Sequence, residues 1–359
     1  TTVVAQAQYS FGIEHAFAPS ELYAEVTVPA TSLRAIIDDN LKGMDDRDVC
    51  LNVKPQGSLV GFQADFDGND TEEMWLLYHV GDDIAGCNVM IALTPAGGGK
   101  YKLHDVMTLP AGTAKLHPII ALDEGVQMYL EMTYALPDGT METKGSIMAF
   151  HQTTMVILSS WTNKDHSTPE GMVYQDIQVL LHDMNFDQVK ELFVKFSKYS
   201  TPAKSKKSIT EEYILTLDYL PENLRYGIYD SASYDRLQEA ESMASSGRRM
   251  LHKKSTATEG IVRIQEALDI DPFMTFTRVK LGQYFMHDGK YGDAERNLVM
   301  ATQIDPNSEK GWMLLGDTYL RLNDLQKSKA AYEKYLSFDP KGRNARRVKK
   351  NLDRITNPR

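Results

Sequence analysis

Residues 309–340 read EKGWMLLGDTYLRLNDLQKSKAAYEKYLSFDP, and residues 275–306 read TFTRVKLGQYFMHDGKYGDAERNLVMATQIDP. Laid over one another at an offset of 34, the two stretches agree wherever a helix pair must be shaped. Leu281-Gly282 falls on Leu315-Gly316, Phe285 on Tyr319, Ala294 on Ser328, Leu298 on Tyr332 and Pro306 on Pro340. The Asp-Pro dipeptide returns three times, at 271–272, 305–306 and 339–340. A fixed period of this length marks stacked two-helix units, none of which can bury its apolar face alone. Glycine and the small residue let antiparallel helices approach, and large apolar residues fill the seam. Proline has no backbone N–H to continue the ladder, so it stops the second helix.

Trp312, three residues before Leu315, completes a pattern of Trp, Leu-Gly, Tyr, small residue, Tyr and Pro. This resembles the tetratricopeptide repeat. Two departures stand out: Arg278 occupies the position of Trp312 in the preceding unit, and Tyr335 replaces a small residue in the last. An earlier unit is half visible in Ile261, Ile264, Ala267, Leu268 and Pro272, but the same offset puts Arg248 where its glycine belongs. Asp235 to Leu251 reads as a helix leading into the repeats. Lys341 to Ile355, with Ala345, Val348 and Leu352 on one stripe, reads as a capping helix.

The resemblance implies a concave groove lined by the first helix of each repeat. Carried onto this sequence, its inward positions are Phe276, Val279, Gln283, Met286 and His287, then Lys310, Met313, Asp317, Leu320 and Arg321. Relatives that bind the acidic C-terminal peptides of heat-shock chaperones use Lys, Asn and Arg there. Val279 and Gln283 hold the first of those positions here, which argues against that clamp. A mostly apolar floor with a polar end suits a protein or peptide segment with apolar anchors.

The chain of 359 residues has room for two or three domains. Its charge is uneven: residues 1–200 hold 27 acidic and 12 basic side chains, residues 201–359 hold 22 and 27. The basic runs Arg248-Arg249, Lys253-Lys254 and Arg343 to Lys350 lack interleaved aromatics in a chain of pI near 5.4, so they read as solvated helix faces rather than a nucleic-acid surface. No apolar run approaches the ~20 residues of a transmembrane helix.

Residues 9–200 read as a mainly antiparallel β domain, a sandwich or curved sheet with two helices. Expected strands are Val49–Val53, Leu59–Ala64, Met74–Val80, Cys87–Leu93, Tyr101–Leu109, Val126–Tyr134, Ser146–His151, Met155–Trp161 and Met172–Leu180. Thr31–Leu41 and Asp187–Tyr199 carry apolar residues at helical spacing. The polar, basic stretch Thr201–Ser208 reads as a linker, within a connecting segment 201–233 that holds one strand-like run, Tyr213–Tyr219. The helical array takes 234–359, giving an α+β chain. Thr1 to Gln8 resembles the end of a secretory signal, which predicts a periplasmic or secreted protein, the alternative being a cytoplasmic one. Cys50 and Cys87 form one disulfide in the first case and remain buried thiols in the second.

Motifs for chemistry are sparse. Asp65, Asp67 and Asp70 concentrate oxygen ligands of the kind calcium takes, yet lack the glycine spacing of an EF-hand, so a solvated acidic turn is the plainer reading. Gly97-Gly98-Gly99-Lys100 lacks the distant glycine and the Ser or Thr of a phosphate loop and reads as a hairpin. Nine scattered histidines include no metal-ligand spacing, and no nucleophile elbow or cofactor motif appears. The expectation is therefore a non-enzymatic adaptor or assembly factor that binds a protein or peptide segment, without catalytic residues, cofactor or metal. The alternative is an enzyme whose active site lies in the β domain.

Overall fold

The computed structural model describes residues 11–31, 33, 58–80, 87–98, 100–122, 125–136, 140–151, 154–168, 171–183, 189–202 and 208–356. The signal-like residues 1–8, the expected strand Val49–Val53, most of the expected helix Thr31–Leu41, and Cys50 with its pairing to Cys87 lie outside them. The chain divides into two units: one is Ala16–Ser231, and the other is Ala232–Arg359 together with residues 11–15.

The first unit is built from two antiparallel sheets whose strands follow chain order. β1 (Ala24–Pro29), β2 (Ser58–Ala64), β3 (Glu73–Val80), β4 (Cys87–Gly97) and β5 (Lys100–Leu109) form the smaller. β6 (Thr113–Ile119), β7 (Gln127–Ala135), β8 (Met141–His151), β9 (Thr154–Thr168), β10 (Gly171–His182), β11 (Glu191–Pro202), β12 (Ser208–Leu220) and β13 (Arg225–Ala232) form the larger. Alternation along each strand sets the layers. Trp75, Met90 and Ala92 of the small sheet share one core with Met128, Leu130, Met148 and Phe150 of the large one. The other face of the small sheet, Met74, Leu76, Val89 and Ile91, packs with Val28, Ala30 and Leu33. Gly97 and Gly98 lie where β4 gives way to β5, with Gly97 paired to Lys100.

Two expectations change here. The described part of the expected helix Asp187–Tyr199 is not helical; residues from Glu191 onward are strand β11, paired along its length with β10 and β12. Leu192, Phe193 and Val194 are consecutive and all buried, as in an inner strand covered on both faces, so the period of two was hidden. Thr201–Ser208 joins β11 to β12, neighbours in one sheet, and β13 extends that sheet to Ala232.

The second unit carries seven α-helices among the described residues: α1 (Tyr234–Met250), α2 (Ala257–Ile270), α3 (Thr275–His287), α4 (Tyr291–Ile304), α5 (Glu309–Arg321), α6 (Leu325–Phe338) and α7 (Ala345–Thr356). The period is visible in the bonds. Asp271, Asp305 and Asp339 each donate their backbone N–H to the carbonyl four residues back, on Ala267, Ala301 and Tyr335. The glycines mark the crossings. A Cβ on Gly282 would lie 2.6 Å from Leu298 of α4, and one on Gly316 would lie 2.5 Å from the Tyr332 ring of α6.

The first repeat obeys the same rule with a shifted register. Its crossing glycine is Gly247, whose added Cβ would lie 2.6 Å from the carbonyl of Gly260. Gly247 to Gly260 spans thirteen residues where Gly282 to Ala294 spans twelve, so the turn after α1 holds one extra residue. Arg248 therefore does not replace the glycine; it follows it, as Gln283 follows Gly282. Arg278 is explained equally locally. Its Nε donates to the Pro272 carbonyl (3.0 Å), and Trp312 Nε1 donates to the Pro306 carbonyl (2.8 Å), one period later. The guanidinium is buried, which pushes it down to about 10 against the pull of Asp271 and Asp269.

Candidate functional site

The inner helices α1 and α3 enclose a cavity of about 570 Å3. Its floor is the ring of Phe276, 61% exposed where an apolar ring would ordinarily be covered. Two cations flank that ring, the Arg248 guanidinium 5.2 Å and the Lys280 ammonium 5.3 Å from its centroid. Ser245, Arg249, His252, Gln283, Tyr284 and His287 complete the part of the wall that carries polar groups.

The charges differ in how far they are satisfied. Arg248 is held by Glu241 at 2.8 Å and donates to the Thr277 hydroxyl at 2.5 Å. Arg249 donates to the Ser245 hydroxyl (3.2 Å), and Lys310 of α5 donates to Gln283 Oε1 (2.8 Å). Partial burial and the nearby Lys280 both pull the Lys310 ammonium below its ordinary value. Among the described residues, Arg249, Lys280 and Lys310 have no carboxylate partner. Arg249 and Lys280 on the wall beside the exposed ring, with Lys310 reaching it through Gln283, form a site that attracts an anionic group and offers it an apolar neighbour.

The ten residues expected to line the groove do not stay together. Phe276, Gln283 and His287 line the cavity. Val279 and Met313 belong to the core of the array, and Met286 packs against it. Asp317 faces the cap: its Oδ1 accepts from Tyr332 Oη (2.6 Å) and from Arg347 of α7 (2.6 Å). Leu320 is half-buried and Arg321 exposed, while Lys310 reaches the groove through Gln283. Sequence reasoning missed Arg249, His252 and Lys280. Allowing one extra residue in the first turn would have aligned His252 with His287 and Arg248 with Gln283.

The acidic turn is organised by its own carboxylates. Asp65 accepts the backbone N–H of Asn69 and of Asp70, both at 3.0 Å, and Asp67 accepts the Asn69 amide at 2.8 Å. Carboxylate oxygens of Asp65, Asp67 and Glu73 lie within 4.8 Å of one another; Asp70 is not part of this group. Glu73 is buried and accepts from the Phe66 N–H (3.1 Å). Burial, and to a lesser degree Asp67 and Asp65, push its carboxyl up to about 7.

Residues 309–341 match the family model of the tetratricopeptide repeat. A segment of 98 residues is 28% identical to anaphase-promoting complex subunit 3 of Dictyostelium discoideum, spanning 27% of this chain and 10% of that protein. Among solved structures, the Sgt2 tetratricopeptide domain from Aspergillus fumigatus is 24% identical over 33% of this chain and 77% of its own, with a TM-score of 0.29. The first such domain of human RPAP3 is 19% identical over 34% and 99%, with a TM-score of 0.30. Among the described residues no helix is long and apolar enough to cross a membrane. Residues 309–341 are a tetratricopeptide repeat, and the helices stacked with them form a short array of that kind.

Proposed function

We propose that this protein is an adaptor whose array binds an acidic segment of a partner protein in the cavity between α1 and α3. The observation that carries this reading is the exposed Phe276 ring between Lys280 and Arg248, with Arg249 and Lys310 left without carboxylate partners. An extended segment would place carboxylates on those cations and an apolar side chain on the ring. The sequence expectation is a mostly apolar floor with a polar end; this reading puts the weight on the cationic part instead, because Val279 and Met313 lie in the core. Surface ion pairs contribute about 0.2–1 kcal/mol each, so the complex should be of modest affinity and sensitive to salt.

The test uses the full chain and a fluorescent peptide alternating Glu with Leu and Phe, titrated at low and high salt. Binding should weaken with salt and fall about tenfold or more in the double variant R249E/K280E. A lysine-based peptide of the same pattern should not bind. Equal binding of both peptides, or an unchanged Kd in the double variant, would refute the site.

A further inference from the structure

The β unit contains a second cavity, of about 310 Å3, at the end of the sheets where the β2–β3 turn meets the β8–β9 hairpin. The rings of Phe66, Phe150 and Tyr219 line it, together with the imidazole of His151. Phe66 and Phe150 are almost wholly buried and both lie against Trp75, with centroids 5.6 and 6.4 Å away, so these walls are fixed. The remaining lining is mostly aliphatic, and among the described residues its one carboxylate is Asp67.

The turn that delivers Asp67 is clamped to the body of the unit. Val126 donates its N–H to the Asp65 carbonyl (3.0 Å). Gly125, at φ +68, approaches so closely that an added Cβ would lie 2.9 Å from the Phe66 carbonyl. Behind Asp67 stand Asp65 and Glu73. Among the described residues no lysine or arginine lines the cavity, and none is paired with any of the three carboxylates. Aromatic faces and uncompensated negative charge are complementary to the same kind of ligand.

We propose that this cavity binds a small organic cation, an alkylammonium or quaternary ammonium, with its charge toward Asp67 and its body against Phe66, Phe150 and Tyr219. A hydrated metal ion fits the surroundings less well, because among the described residues the lining offers a single carboxylate, beside two phenylalanines and a tyrosine, and Asp65 already spends both oxygens on backbone N–H groups.

The experiment titrates the full chain by calorimetry with choline, with phenethylammonium, and with 3,3-dimethylbutan-1-ol, the neutral isostere of choline. The expected result is binding of the cations with the isostere about tenfold weaker or worse. D67N should weaken the cations about tenfold without lowering the melting temperature. V156F, which fills the cavity from the opposite hairpin strand, should also abolish binding, so the test survives if either variant folds poorly. Equal affinity for the isostere, affinity unchanged in both variants, or no binding of either cation at millimolar concentration would overturn the proposal. Calcium binding that depends on Asp67, without binding of either amine, would overturn it in favour of a divalent-ion site.

Discussion

Arg278 shows how one residue can break a sequence pattern while keeping its physics. The repeat needs a long, largely buried side chain with an N–H directed at the proline carbonyl of the preceding turn. Trp312 supplies an indole N–H and Arg278 a guanidinium N–H, with nearly equal donor–acceptor distances. Truncation removes both the packing and the donor, leaving Pro272 O unsatisfied, so R278A should lower stability by about 2–4 kcal/mol. R278W restores volume and donor and should cost less than half as much. Urea denaturation of the two variants checks this, and equal losses would mean that the bond to Pro272 is incidental.

At the level of elements, the strength of the sequence signal followed the geometry that produced it. The α3–α6 repeats were legible because each close crossing demands glycine or a small residue at one depth, and those demands return every 34 residues. α1 was blurred by the single extra residue in its turn, which displaced Gly247 from the expected position. β11 was misread because its apolar residues serve both faces of an inner strand and mimic helical spacing. The groove was legible as a place but not as a chemistry: inward positions can hold a core residue such as Val279 or a lining residue such as Gln283. Which it is depends on how deeply the helix is packed. The crossing glycines allow a direct check. G316L should destabilise the array by about 1–3 kcal/mol, because the new side chain must displace the Tyr332 ring. Gly292, in α4 with nothing within 4 Å of an added Cβ, is the control. G292A should be neutral or stabilising by up to about 1 kcal/mol in chemical denaturation. If both substitutions behaved alike, helix propensity rather than close packing would govern the repeats.

For the whole molecule, charge and architecture divide at nearly the same point. Ala16–Ser231 holds 31 acidic and 16 basic residues, while Ala232–Arg359 holds 17 and 23. The basic excess in the array supports a groove for acidic segments, and the acidic excess in the β unit agrees with a cavity suited to cations. The array has a core of its own, running from Ala240 through Leu281 and Tyr332 to Val348, which predicts that it folds without the sheets. The measurement that tests this account most directly takes the fragment Ala232–Arg359 and compares it with the full chain in titrations of the same acidic fluorescent peptide. The account predicts a strongly helical circular-dichroism spectrum, the same Kd and salt dependence as the full chain, and loss of binding in R249E/K280E. A folded fragment that fails to bind the peptide while the full chain binds it would contradict the account and move the partner site into the β unit.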